Sequence, residues 1–302
     1  MKKTILTSLI LLLISSPGFA LTETFLIQSI GTSAKMIGIG NIEGFDSSSA
    51  SVFENPASLY AVKTLSASVF STTFLDDAGY FNASIGWNTG YGNVAIGFMQ
   101  ASVNGIPDTG IDPFGEVTQI GAFNFEDSVA KLAYQYSLLD HIHLGVGASY
   151  FSKSLKQLQG NGFGMDVGIF GTFDAFEISA SIKNILNQNI SYTDGGEDEF
   201  IPIQILLGGR YKLNQIDVYG QLKLTEKNNR LTSSVGLTYR PIDIFYLSAG
   251  YKEFTVLNEI RNNIVLGLGL ELGLLNVYFA YEDSEVFKQD SQYYFSISIN
   301  NL

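Results

Sequence analysis

Few side chains in this chain could perform chemistry. His141 and His143 stand two residues apart in LDHIHLG, so on a strand both imidazoles would face one way, as a metal pair does. A zinc centre needs three or four protein ligands, and the chain has no cysteine and no third histidine to complete such a shell. The pair therefore reads as polar residues at a strand end. The acidic run EDEF at 197–200, with Asp194, offers oxygen ligands of the kind calcium takes, and reads more simply as a solvated loop. No Ser-His-Asp order, glycine-rich phosphate loop or carboxylate pair in a catalytic context occurs. The sequence thus points away from an enzyme and calls for no cofactor and no metal. What remains is a set of charged residues, Glu177, Lys183, Arg210, Asp217, Lys223 and Glu271, whose expected task is to line a wall and pair across it.

These residues sit in segments that alternate with period two. FEISASIK carries Phe176, Ile178, Ala180 and Ile182 opposite Glu177, Ser179, Ser181 and Lys183, the pattern of a strand with one apolar and one polar face. NIVLGLGLEL sets Ile264, Leu266, Leu268, Leu270 and Leu272 against Val265, Gly267, Gly269 and Glu271 in the same way. The pattern predicts fourteen strands, at 64–72, 79–88, 91–102, 120–137, 142–152, 162–171, 175–184, 201–212, 215–224, 230–239, 244–252, 262–272, 274–283 and 291–300. Most have the length of a tilted strand that crosses a bilayer. The long fourth strand is expected to carry a bulge or an extra hairpin near Asn124 to Asp127.

The connections alternate too. Short turns at Thr89-Gly90, Leu138 to His141, Thr172 to Ala175, Leu213-Asn214, Arg240 to Asp243 and Gly273 interleave with longer loops. An antiparallel meander in an outer membrane keeps tight turns at its periplasmic rim and longer loops outside, whereas both ends of a soluble sandwich face water. Strands in lipid must close into a barrel, because an open edge would leave backbone groups unpaired. The polar face then lines the lumen. Tyr80, Trp87, Tyr91, Tyr150, Tyr211, Tyr239, Tyr251 and Tyr281 near strand ends suit interfacial girdles.

Composition agrees with this class. The 302 residues include 22 Phe, 16 Tyr and 31 Gly but only 6 Pro. Residues 1–20, MKKTILTSLILLLISSPGFA, have two lysines, an apolar stretch and small residues at Gly18 and Ala20, the form of a cleaved signal peptide. Its loss leaves 15 basic against 29 acidic side chains. That balance argues against a nucleic-acid partner, which would need clustered Lys and Arg.

Residues 21–63 lack the meander and form a Gly- and Ser-rich strip, with the wall expected over 64–302. Asn55-Pro56 initiates a turn, since Pro56 fixes its own φ and biases Asn55 away from the helical region. The order Gly31, Ser33, Ala34, Met36, Gly38 and Gly40, then Asp46, Ala50, Phe53 and Asn55-Pro56-Ala57, resembles the opening signature of the PorV/PorQ family. That family is similar to the FadL-like outer-membrane channels for long-chain fatty acids and hydrocarbons. The later rhythm of Asp127, Tyr134, Leu138, Asp140 and Gly145 extends the resemblance. It implies an all-β fold, a single 14-stranded antiparallel transmembrane β-barrel with an N-terminal lumenal hatch. In that hatch, Gly31, Met36, Gly38 and Gly40 would pack on the wall and Asn55-Pro56-Ala57 would lead into the first strand. The implied function is passage of small hydrophobic or amphipathic molecules across the outer membrane, with lipid and a hydrophobic ligand as partners. The alternatives are a PorV-like shuttle that binds secreted protein cargo at the surface, and a structural barrel.

Overall fold

The computed structural model describes residues 27–74, 78–186, 188–193, 195–226, 230–256, 259–283 and 291–302. The expected signal peptide and residues 21–26 of the expected hatch lie outside the described residues. The strands are β1 (Leu65–Phe74), β2 (Ala78–Asn88), β3 (Asn93–Ile111), β4 (Val117–Leu139), β5 (Ile142–Leu155), β6 (Leu158–Phe173), β7 (Phe176–Lys183) and β8 (Gln188–Tyr192). They continue with β9 (Gln204–Leu213), β10 (Ile216–Thr225), β11 (Arg230–Tyr239), β12 (Phe245–Val256), β13 (Glu259–Leu272), β14 (Leu275–Glu282) and β15 (Gln292–Asn300).

All of these except β8 form one antiparallel ring of fourteen, as the alternating pattern predicts. The ring closes between the first and last strands, with Ser66 opposite Asn300 and Thr72 opposite Tyr294. Every wall strand therefore has two neighbours across the span, as backbone in hydrocarbon requires. The outer face is apolar: Val69, Val146, Leu237 and Leu268 are about half exposed, Leu268 at 53 %. Its chain neighbour Gly267 points inward, where an added Cβ would meet Ser248 and Gly38. An apolar belt around a closed barrel with a polar interior is the exterior of a membrane-spanning barrel, and barrels of this kind reside in the outer membrane. Among the described residues no helix is long and apolar enough to cross.

Several local features differ from expectation, and three bear on the interior or the rim. The stretch NGIPDTGIDPFGEV, expected as a loop, is largely strand: β3 and β4 run on past the wall as a hairpin arm, paired from Ile106↔Phe123 to Ile111↔Val117. Its base carries a register shift between Val103 and Ile106, where Gly105 has φ of 70° and its N–H donates to Asn124 Oδ1 at 3.1 Å. The extra residue lies on β3, opposite Asn124, and not on the fourth strand where a bulge was expected; β4 carries its own extra residue farther out, at Ile120. Pro107 is tolerated there because the arm is an edge, with no further strand beside it. The second difference is β8, inside another expected loop. β7 stops at Lys183, Asn184 takes a left-handed φ of 61°, and the chain rejoins β6 through Ile185 N–H to Met165 O at 2.8 Å, then pairs Ser191 with Asn161. Third, Tyr80 is no girdle residue. It is 2 % exposed and donates to Gly31 O at 3.0 Å, because it shares the inward face of β2 with Asn82.

Candidate functional site

Residues 27–63 lie inside the ring. They make four short helical pieces, Ile27–Ser29, Ala34–Ile37, Ser49–Phe53 and Pro56–Ala61. Serine and asparagine caps delimit three of them: Ser33 accepts from Met36 N, Ser48 from Ala50 N and Asn55 from Ala57 N, which satisfies first-turn donors that no helix of this length could satisfy itself. The segment is almost wholly buried, polar residues included, so its hydrogen-bonding groups must find partners on the wall. They do so in several directions. Ala34 N–H donates to Ser296 Oγ at 3.2 Å, Ser49 N–H to Ser66 Oγ at 2.9 Å, and Asn82 Nδ2 to Thr32 O at 3.1 Å. Asn93 Nδ2 donates to Leu59 O at 2.6 Å.

Asn55-Pro56-Ala57 is not the point where the chain enters the wall. Pro56 occupies the first turn of a 3₁₀ helix, and β1 begins at Leu65. The Asn55 amide has a second task, donating to Ser179 Oγ at 2.9 Å, Ile169 O at 3.1 Å and Ala180 O at 3.3 Å. It thus clamps the segment to β6 and β7. The wall yields space for it: a Cβ at Gly168 would strike Asn55, and one at Gly145 would strike the Pro56–Ala57 backbone. Gly40, with φ of 95°, lies so near β11 and β12 that a Cβ would stand 2.8 Å from Tyr251 O and 3.1 Å from Val235 O. Gly31 meets Ile37 and Tyr80, and Met36 joins Ile39, Ile42 and Phe45 in an apolar cluster with Phe170 and Tyr219.

The six charged wall residues singled out in the sequence, Glu177, Lys183, Arg210, Asp217, Lys223 and Glu271, face the interior, and each has an ion-pair partner. Glu43 of the segment bonds Lys183, and bonds Lys223 at 3.0 Å. Burial opposes ionisation of Glu43, but these two ammonium groups outweigh it and hold the carboxyl at about 2. Glu54 is the opposite case. It accepts from Thr32 Oγ1 and from Gly44 N–H at 2.6 Å. Burial, with the Asp46 and Glu43 carboxylates nearby, pushes it up to about 8. Neither acid was picked out from the sequence; the available signal was that carboxylates in a lumenal strip must find the cations of the inward face.

Below the segment, toward the short-turn rim, a cavity of about 700 Å³ opens among Lys35, Tyr60, Arg210, Arg240, Glu271 and Tyr278. Its charges form a ladder along the wall. Lys35 pairs with Glu271 at 3.3 Å, Arg240 bridges Glu271 at 3.4 Å and Asp217 at 3.0 Å, and Glu177 takes Arg210 and, at 2.6 Å, Lys212. Lys35 also stands 5.0 Å from the Tyr278 ring centre and Arg240 5.3 Å from that of Tyr246, within cation–π range. On the far side of the segment the lumen is apolar. Phe70, Tyr80, Met99, Val129, Phe151 and Tyr294 pack with Ile27, Ile37, Val52 and Phe53, and ion pairs such as Lys153–Glu199 at 2.7 Å and Lys252–Glu282 at 2.8 Å lie nearer the long loops.

The two histidines part company. His143 is buried, stacked on Tyr60 at 4.1 Å and bonded through Nδ1 to Ser137 Oγ at 2.9 Å, while His141 lies beside Phe173. Glu199 of the acidic run bonds Lys153 and accepts from Tyr192 at 2.5 Å; Asp194 lies outside the described residues. No group of three or more metal-ligating side chains occurs among the described residues.

No family model matches the chain, and no curated protein does. Solved structures share its fold. The Pseudomonas putida toluene transporter TodX superposes with a TM-score of 0.63 at 14 % identity, over 92 % of this chain and 99 % of that one. The Ralstonia pickettii toluene transporter TbuX gives 0.63 at 10 % identity, over 92 % and 100 %. A Pseudomonas aeruginosa FadL homologue gives 0.56 at 12 % identity, over 88 % and 97 %.

Proposed function

We propose that the protein is an outer-membrane channel passing small hydrophobic or amphipathic molecules, with residues 27–63 as the hatch that closes it. One observation carries the reading: the lumen is filled by the chain's own N-terminal segment, between an apolar inner band and a polar vestibule. An open porin keeps a water-filled lumen; here the band around Phe70, Met99 and Phe151 is covered by Ile27, Ile37, Val52 and Phe53 of the segment, and displacing them would expose apolar area that suits a hydrophobic ligand. The fold shared with toluene transporters supports the same reading. The short turns then face the periplasm, and the vestibule is the exit chamber.

The opening signature supports a closer kinship with the PorV/PorQ proteins, and the β3–β4 arm, with Phe114 exposed at 90 % at its tip, is the feature a cargo-binding role would use. Ion current in planar bilayers tests the hatch. The intact protein should carry little steady current, and removal of residues 25–50 should raise it markedly with strand content unchanged. An intact protein that already conducts, and is unaltered by the deletion, would refute the hatch.

A further inference from the structure

We infer that the hatch opens along one seam, where Met36–Ile42 lies on β11, β12 and β13, and that the permeant reaches the vestibule through it; this rests on the channel reading above. The hatch is held unevenly. Hydrogen bonds tie it to β1, β2 and β3 through Ser66, Ser84, Asn82 and Asn93, and to β6, β7 and β10 through Asn55, Lys183, Gln221 and Lys223. Between Lys35, which reaches Glu271, and Glu43, which reaches Gln221, the segment lies against the wall through glycines. Gly38 meets Gly267, and the Ile39–Gly40 backbone covers Gly236 and Gly250.

From Gly38 to Gly40 the contact is backbone on backbone, so this stretch parts from the wall once Met36, Ile39 and Ile42 leave their cluster with Phe170 and Tyr219. Buried polar atoms lack partners at several points around the segment, Asn82 Oδ1 on the tied side included, and three of them lie in the wall beneath the seam. Thr238, Ser248 and Tyr246 are at most 7 % exposed, and the hydroxyl of each lacks a hydrogen-bond partner. Thr238 and Ser248 are cross-strand partners, and Ser248 faces Gly267 in turn, so two of these hydroxyls lie in the row that Gly38 covers. A buried hydroxyl without a partner disfavours the closed state, and parting the seam relieves it by admitting water or the permeant. Tyr246 pairs with Gly269 one step nearer the vestibule, and its ring carries Arg240 of the vestibule lining. The hydroxyls therefore lead from the seam to the exit chamber.

The chain has no cysteine, so introduced pairs report cleanly. Gly38→Cys with Ser248→Cys places two thiols across the seam, where an added Cβ at position 38 already contacts Ser248 Oγ. Ser49→Cys with Ser84→Cys does the same on the hydrogen-bonded side, where the two Oγ atoms are 2.8 Å apart. Uptake of radiolabelled toluene by cells carrying each protein is measured oxidised and reduced. Oxidation of the seam pair should abolish protein-dependent uptake and reductant restore it, while oxidation of the second pair should leave uptake intact. Uptake that survives the seam lock, or stops equally with either lock, overturns the inference. Single Ser248→Cys and Ser84→Cys variants give a readout that needs neither Gly38 substitution nor transport. Toluene should speed thiol modification at position 248 by about tenfold or more, as local opening exposes it, and leave position 84 unchanged; equal rates overturn the seam. A wild-type protein that does not speed toluene entry defeats the channel reading instead, and labelling then judges the seam alone.

Discussion

Replacing Glu43 by Gln should unseat the hatch while leaving the barrel assembled. Lys183, its side chain 1 % exposed, would keep only Phe53 O, at 2.9 Å, and Lys223 would lose its ion pair. Removing one partner of a buried ion pair costs about 3–5 kcal/mol, because a charge is left without compensation. The held-down acidity gives a second measure. A carboxyl at about 2 rather than 4.5 corresponds to roughly 3 kcal/mol at neutral pH. A loss of that size raises the population of unseated hatch roughly 100- to 200-fold, which planar-bilayer recording would register as frequent open events at pH 7. The sign with pH follows. Because the folded-state pKa is lowered, Glu43 stabilises the seated hatch fully above about 4.5 and loses that effect as pH falls toward about 2. Acid in that window should therefore open the native protein and change Glu43→Gln little. A variant with native current at pH 7 and a native acid response would refute the reasoning.

Glu54 titrates with the opposite sign: held protonated up to about 8, it should let the seated hatch lose stability as pH rises from about 4.5 to about 8, and Glu54→Gln should flatten that slope in the same current recordings. Leu268→Lys, facing lipid, should cost roughly 2–4 kcal/mol in assembly measured by refolding into vesicles, whereas Gly267→Ala should assemble normally and disturb hatch seating, because its methyl would meet Ser248 and Gly38. A protease site inserted at Gly195-Gly196 should be cut in intact cells, and the same site at Leu213-Asn214 or Gly273 should be protected; the reverse pattern would invert the orientation.

The wall was legible because period-two alternation has one physical source, two faces in two solvents. Even the faces of β7 and β13 follow from residue type alone, as Glu177 and Lys183 turn inward and Leu266 and Leu268 outward. The hairpin arm was not legible. Gly105, Pro107 and Asp112 are loop residues by composition, yet they sit at a bulge, an unpaired edge and a tip of a structure exposed on both faces, where no burial pattern forms. β8 was hidden for a similar reason, since five residues beyond a break cannot establish a period. Inside the lumen, small residues announced close approach at Gly38 and Gly40. Which wall glycines receive them, and that Glu43 seeks two lysines more than a hundred residues away, depends on ring geometry that no local pattern encodes.

That separation governs how the protein is made. Ala34 lies 262 residues from its partner Ser296, and Glu43 lies 140 from Lys183, so the first segment synthesised is among the last to find its contacts. Contacts so distant in sequence are slow to form, since the loop between them must close first. The ring cannot seal until β15 reaches β1, and by then the hatch must already be inside or must thread a completed cylinder. Only the first order spares the membrane an unplugged cylinder, so the sequence distance between the hatch and its partners makes the timing of ring closure part of the permeability barrier.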